Sequence, residues 1–163
     1  MVVVRSPNRR KTVEARIVGG VIRVSVPARM SKDDERRHVE KLVARLERRR
    51  TTGEIDLEER AKVLARHYGL PAPASIRWVD NQTGRWGSCT PSQGTIRLST
   101  RLAGMPAWVV EGVIVHELAH LAEPGHTPAF WALVNRYPRA ERSLGYLMAQ
   151  GLAPDGDELT ELR

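Results

Sequence analysis

Residues 116–126 concentrate the chemistry of this chain. They hold three of its five histidines, His116, His120 and His126, and a glutamate, Glu117, directly after the first. An α-helix advances by about 100° per residue, so side chains four residues apart lie on one face, one turn from each other. His116 and His120 can therefore direct imidazole nitrogens at a single point. Imidazole nitrogens are common zinc ligands, and the spacing predicts a metal site.

A third ligand is needed beyond the two helical histidines, because a catalytic zinc takes three protein ligands and keeps a fourth position for water. His126 is the candidate, since Pro124 and Gly125 end the helix and let the chain turn back towards the metal. Glu123 is a rival, because it lies seven residues after His116 on the same helix face. We favour His126 as the ligand and expect Glu123 to orient a ligand histidine.

Glu117 gives the segment a catalytic interpretation. Its carboxylate, next to the ligand pair, could accept a proton from a water molecule whose pKa the metal lowers to about 7. The sequence therefore predicts a hydrolase with one zinc ion per chain. The alternative is a pair of helical histidines that bind carbonyl groups or solvent, with Glu117 serving only as a helix former.

Length and composition predict a single domain of 163 residues. Within it we expect a basic N-terminal part over 1–70, a catalytic core over 75–151 and a flexible tail over 152–163. The one cysteine, Cys89, excludes an intrachain disulfide and favours a reducing compartment. No apolar run predicts a signal peptide or a membrane span, so we expect a cytoplasmic protein.

Positive charge is concentrated at the beginning of the chain. Residues 1–66 hold 18 Lys and Arg against 10 Asp and Glu, whereas residues 67–163 hold 8 against 9. A basic face of this kind could attract the phosphates of nucleic acid. No aromatic residue accompanies the basic stretches before Tyr68, so a base-stacking platform is not indicated. We therefore favour a solvated helix surface over nucleic-acid binding.

The N-terminal part is predicted to hold a β-hairpin, an added strand and two helices. Alternating apolar and polar residues on both sides of Gly19 and Gly20 are typical of a hairpin with a two-residue turn. Ser31 followed by Asp34 indicates a helix start, and residues 51–53 are expected to end that helix. The predicted elements are a strand over 2–5, the hairpin over 12–26, and helices over 35–50 and 57–68.

The part after Pro71 and Pro73 is predicted to hold a small antiparallel sheet and three helices. Trp86 and Trp131 are expected to be large buried anchors, with direct substrate contact as the alternative, and Met148 is expected to lie in the core. The predicted elements are strands over 75–79, 85–88 and 95–98, and helices over 107–123, 127–137 and 139–150. The first of these helices carries the metal motif and is expected to pack on the sheet.

Several segments carry a resemblance to a known family. In order, they are RWGSC at 85–89, GTIRL at 94–98, VIVHELAHL at 113–121 and HTPAFW at 126–131. This order resembles the YgjP-like metallopeptidase domain family and, more distantly, the SprT-like proteases. The resemblance implies an α+β, zincin-like fold, a zinc cofactor and a peptide or protein substrate. It implies the same site as the spacing does: ligands His116, His120 and His126, and the base Glu117.

Two other functions stay open. A metal-dependent hydrolase of nucleotides or other phosphoanhydrides would use arginines to hold phosphates, but no Walker-type glycine loop or magnesium-binding carboxylate cluster is present. A nucleic-acid-associated module with a structural zinc would need no base and would normally close its site with four ligands. Peptide hydrolysis is therefore the function that we expect.

Substrate binding and oxyanion stabilisation have less specific signals. The predicted strand at 85–88 belongs to the hairpin that directly precedes the motif helix, and its edge could pair with an extended peptide. The residue types that could stabilise an oxyanion are arginine and tyrosine, and the sequence does not rank them. The candidates are Arg85, Arg97, Tyr137 and Tyr146.

Overall fold

The chain forms two compact units, Met1–Arg50 and Thr51–Arg163. The structure is a computed structural model and describes residues 1–151, except the side chains of Ile17 and of residues 48–50. The tail expected to be flexible, 152–163, lies outside the described residues. Among the described residues, no helix combines the length and the apolar character needed to cross a membrane. All four candidate site residues belong to the second unit.

The first unit contains a three-stranded sheet. Its strands, in the spatial order β1-β3-β2, are β1 (Val2–Ser6), β2 (Glu14–Val18) and β3 (Val21–Pro27). The predicted hairpin of β2 and β3 is confirmed, and β1 runs parallel to β3. Gly19 and Gly20 have φ values of 58° and 77°, which residues without a Cβ adopt at little cost. Val24 and Val26 of β3 are fully buried.

The helix α1 (Lys32–Gly53) follows this sheet, and its Val39 packs with the buried valines of β3. It begins as predicted, because the Ser31 hydroxyl accepts a hydrogen bond from the Asp34 N–H at 3.1 Å. The predicted end is wrong, because the helix continues through residues 51–53. Threonine inside a helix costs less than about 1 kcal/mol relative to alanine, so Thr51 and Thr52 do not end a long helix, and its last residue is Gly53.

The second unit begins with a helix and a second three-stranded sheet. Its first elements are α2 (Leu57–Tyr68), β4 (Ser75–Val79), β5 (Gly87–Thr90) and β6 (Thr95–Ser99). The strand order is β4-β6-β5, in which β6 is antiparallel to β5 and parallel to β4. The α+β class is confirmed, but the prediction of a wholly antiparallel sheet is wrong. The β5–β6 hairpin uses one edge of β6, and β4 therefore pairs with its other edge.

Three helices complete the second unit: α3 (Ala107–His120), α4 (Pro128–Val134) and α5 (Ala140–Ala149). α3 lies at the centre, in contact with α2, α4, α5, β5 and β6. Its Val109, Ile114 and Leu118 are fully buried. The predicted end of α3 at residue 123 is wrong, because the Leu121 N–H bonds the carbonyl of Leu118 and tightens the last turn.

Side-chain burial confirms one aromatic anchor and contradicts one core assignment. Trp86 is 3% exposed, as expected of a buried anchor. Met148 is 45% exposed, so its assignment to the core is wrong. On α5 the inward positions are taken by Ser143 and Leu147, and Met148, one residue after Leu147, points to another face.

The cap of α2 offers a test of local stability. The Asp56 side chain accepts a hydrogen bond from the Glu59 N–H at 3.0 Å. We expect Asp56→Ala to lower the free energy of unfolding by about 1 kcal/mol, because a helix N–H loses its acceptor. Asp56→Asn keeps an acceptor and should stay close to the parent protein in urea unfolding. Equal losses in both variants would instead assign the effect to the charge near the helix N-terminus.

Candidate metal centre

α3 carries three of the four candidate residues into the core. His116 and His120 are 5% and 8% exposed, and Glu117 is fully buried. Ionisable side chains are seldom buried this far unless they are paired, hydrogen-bonded or bound to a metal. Their apolar neighbours on the helix, such as Val115 and Leu118, pack into the core and hold them there. The burial therefore favours a specific role over an incidental one.

His126 reaches the helical pair through a short turn. α3 ends at His120, and Pro124 lacks the N–H that a continuing helix would need. After the turn, the Thr127 hydroxyl accepts a hydrogen bond from the Phe130 N–H at 3.2 Å and caps α4. His126 is thus held directly before a capped helix, on the side of the turn that faces the end of α3.

The three imidazoles converge on one point. One ring nitrogen from each lies within 4.8 Å of the other two, and the Nε2 atoms of His116 and His126 are 3.4 Å apart. Two nitrogens on a tetrahedral zinc, each at about 2.0–2.1 Å, lie roughly 3.3 Å apart. The arrangement therefore fits one metal ion of this size. Within residues 1–151, no other cluster of histidine, cysteine and acidic side chains has this form.

A backbone carbonyl orients one of the rings. The Nδ1 atom of His120 lies 3.2 Å from the carbonyl oxygen of Glu123. When Nδ1–H donates to this carbonyl, the lone pair is on Nε2, which is then the nitrogen available to a metal. Glu123 thus acts on His120 through its backbone, and its carboxylate is not part of the histidine cluster.

Two aromatic side chains of α4 pack against the imidazoles. The Phe130 ring stacks on His120 at a centroid distance of 4.3 Å and contacts His116 edge-on at 4.9 Å. Trp131 stacks on His126 at 5.7 Å and is half-buried. Phe130 is fully buried, and although it belongs to the HTPAFW segment, no role is predicted for it from the sequence. The sequence feature that could have indicated contact with the imidazoles is the position of Phe130, four residues after His126 at the start of a capped helix.

The Glu117 carboxylate lies against the backbone of β5. A Cβ built on Gly87 would stand 2.9 Å from the Glu117 Cγ and closer still to its Oε1. Real Cβ atoms essentially never come this close, so any larger residue at this position would require the Glu117 side chain or β5 to shift. The sequence contains no local sign of this contact, because the two residues are thirty positions apart and belong to different elements.

Other residues considered from the sequence make their contacts away from the histidine cluster. Cys89 packs against the core and is not part of the histidine cluster. The Tyr137 hydroxyl lies 2.9 Å from the Trp108 carbonyl and 3.2 Å from the Glu111 carboxylate, and burial together with this carboxylate raises the pKa of Tyr137 to about 12. Arg97 pairs with Ser88 across the sheet, so it faces away from the side on which Gly87 meets α3.

If His126 is a ligand of the candidate metal centre, its loss should strongly weaken metal binding. We expect His126→Ala to weaken zinc binding by more than the tenfold to roughly hundredfold that outer partners of a metal site contribute. Competition with a chelating dye measures the affinity. His67→Ala, which removes an exposed histidine on α2, is the matched control and should leave the affinity unchanged. Equal affinities of the His126→Ala variant and the parent protein would exclude His126 as a ligand.

The contact between β5 and α3 predicts a specific coupling. Gly87→Ala should lower the free energy of unfolding by about 1–3 kcal/mol, because the new methyl group overlaps the Glu117 side chain. In a Glu117→Ala background the same change should cost much less, since the overlapping atoms are absent. Urea unfolding of the four proteins of this double-mutant cycle gives the coupling energy.

The matched control is Gly84→Ala, because a Cβ at Gly84 would meet nothing within 4 Å. It should have the same small effect in both backgrounds. A cost at Gly87 that does not depend on Glu117 would contradict the contact, as would equal costs at the two glycines.

The chain matches the model of the family described as YgjP-like, metallopeptidase domain, over residues 20–144. It is also similar in structure to the metallopeptidase zymogen of Pyrococcus abyssi abylysin, with a TM-score of 0.51, 21% identity, and coverage of 57% of this chain and 92% of that chain. At this identity the likeness supports the fold alone, consistent with the zincin-like prediction. No curated protein matches the chain. Because the family model spans well over half of its length, the chain belongs to the YgjP-like metallopeptidase domain family.

Proposed function

We propose that this protein is a zinc-dependent peptidase with one zinc ion per chain. The observation that carries the proposal is the convergence of three imidazoles, from His116, His120 and His126, within 4.8 Å. An all-imidazole donor set favours zinc over magnesium and calcium, which prefer oxygen ligands. When bound, the zinc supplies a Lewis acid that polarises the scissile carbonyl and lowers the pKa of water.

Glu117 is the proposed general base. It follows His116 on α3 and is fully buried, so solvent does not compete for its carboxylate. The carboxylate accepts a proton from the attacking water and then transfers it to the leaving amine. Gly87 supports this role, because its missing side chain leaves the room that the carboxylate occupies against β5.

The substrate backbone is proposed to bind along β5. This strand is at one end of the order β4-β6-β5, and within residues 1–151 no strand pairs with its other edge. An extended peptide can add to such an edge through main-chain hydrogen bonds. Because Gly87 of β5 adjoins Glu117, a peptide paired with this strand passes beside the carboxylate.

The cellular setting is proposed to be the cytoplasm. A chain with one cysteine, Cys89, forms no intrachain disulfide, which is common in a reducing compartment. Hydrolysis of a nucleotide stays the alternative function, and a nucleic-acid partner is not favoured; the assay that tests the peptidase also tests nucleotide hydrolysis.

The decisive variant is Glu117→Gln, which keeps the size of the side chain and removes its basicity. We expect kcat on denatured casein to fall by about a hundredfold or more, the usual contribution of a general base. Zinc content, measured by elemental analysis, should stay at one ion per chain. A panel of nucleoside triphosphates and diphosphates in the same assay identifies a phosphoanhydride hydrolase if one of them is turned over instead.

Glu111→Gln is the matched control on the same helix. The Glu111 carboxylate bonds Arg60 and Tyr137 and is not part of the histidine cluster, so turnover should be retained. Unchanged turnover in the Glu117→Gln variant would remove Glu117 from the mechanism.

A further inference from the structure

A largely apolar cavity of about 260 Å³ adjoins the histidine cluster. Its walls come from the three C-terminal helices, and their inner parts include Val113 of α3, Val134 of α4 and Leu147 of α5, all buried. His116 also lines the cavity. The cavity and the candidate metal centre therefore share one imidazole.

Contact between α3 and α5 closes the inner end of this cavity. A Cβ on Gly112 would overlap the side chain of Ser143, so glycine is what lets the two helices approach. The Ser143 hydroxyl donates a hydrogen bond to the Val109 carbonyl at 3.3 Å. Because this polar group is already bonded within the protein, the inner end offers mainly apolar contacts to an occupant.

Size and charge restrict the occupant. A cavity of about 150 Å³ is known to hold benzene, so a volume of 260 Å³ holds a branched aliphatic or a single aromatic side chain. Half-buried Trp131 and Leu144 line the opening, and exposed Glu141 lies at its rim. The Glu141 carboxylate repels acidic groups. An uncharged, apolar side chain of medium size is the occupant that fits.

We propose that this cavity is the specificity pocket of the peptidase and binds an apolar side chain, such as that of leucine, next to the cleaved bond. This inference rests on the proposed function, because it places the scissile carbonyl at the histidine cluster. Residues of an extended peptide are spaced by about 3.3 Å. Because the cavity and the cluster share His116, only a side chain that flanks the cleaved bond enters while the carbonyl stays at the metal.

Binding of hydroxamates to the zinc-loaded protein tests the pocket without requiring catalytic turnover. Acetohydroxamate carries the chelating group alone, isocaproyl hydroxamate adds a branched apolar chain, and succinyl monohydroxamate adds a carboxylate. Calorimetry should give an affinity for isocaproyl hydroxamate about tenfold or more above that for acetohydroxamate, because several buried CH₂ groups leave water. Succinyl monohydroxamate should bind no more tightly than acetohydroxamate.

Leu144→Phe fills the opening and should reduce the advantage of the isocaproyl chain to about threefold or less, because the space for its CH₂ groups is lost. Met148→Phe is the matched control, since Met148 lies one turn further along α5, is 45% exposed and does not line the cavity. It should keep the full advantage. Ala140→Leu is a second filling variant at the start of α5. Retained acetohydroxamate binding in each variant shows that the metal centre is intact.

The outcomes test the proposed pocket and the proposed peptidase function separately. Equal affinities for acetohydroxamate and isocaproyl hydroxamate would overturn the pocket, and so would an advantage that both filling variants keep. Failure to bind any hydroxamate would overturn the metal centre and the pocket with it. A retained advantage without cleavage of any peptide would support the apolar binding site and overturn the peptidase function.

Discussion

The burial of α3 is the constraint on which the rest of the second unit depends. This helix contacts α2, α4, α5, β5 and β6, and it carries His116, Glu117 and His120 into an apolar core. Polar groups in such a place destabilise the fold unless each finds a hydrogen bond, a charge or a metal. The surrounding elements therefore have to provide two things, namely partners for the polar atoms and enough room for them. The Glu123 carbonyl after α3 provides such a partner for His120, and the Phe130 ring of α4 packs against the same imidazole.

Two glycines provide the room. Gly87 of β5 leaves space for the Glu117 carboxylate, and Gly112 of α3 lets α5 approach through Ser143. In both cases a Cβ would overlap the atoms of a buried side chain, Glu117 or Ser143. The consequence differs between the two contacts. The first brings a strand edge to a carboxylate, whereas the second closes one end of a cavity that His116 lines. Positions without a side chain thus shape both the chemical and the apolar part of the proposed site.

The sequence predicted the features that depend on residues close together in the chain. The turn at Gly19 and Gly20 and the start of α1 at Ser31 follow from local backbone preferences, and both are present. The spacing of His116, His120 and His126 could be interpreted for the same reason, since one helix and one turn connect them. The parallel pairing of β4 with β6 could not be predicted, because strand order depends on which edges remain after the hairpin forms. The contact of Gly87 with Glu117 and the cavity beside His116 join separate elements in the same way.

The backbone orders His126 less firmly than it orders His116 and His120. His116 and His120 are aligned by the hydrogen bonds of a buried helix, so little additional ordering is needed for them to act together. His126 comes from a turn, and ordering a turn opposes binding through lost conformational entropy. The Thr127 cap and the stacking of Trp131 on His126 reduce that loss, because they order the residue in the folded chain itself. In the proposed metal site, metal affinity is therefore linked to the stability of α4. An ion that binds only the ordered turn stabilises α4 in return, by an amount that grows with the logarithm of its concentration.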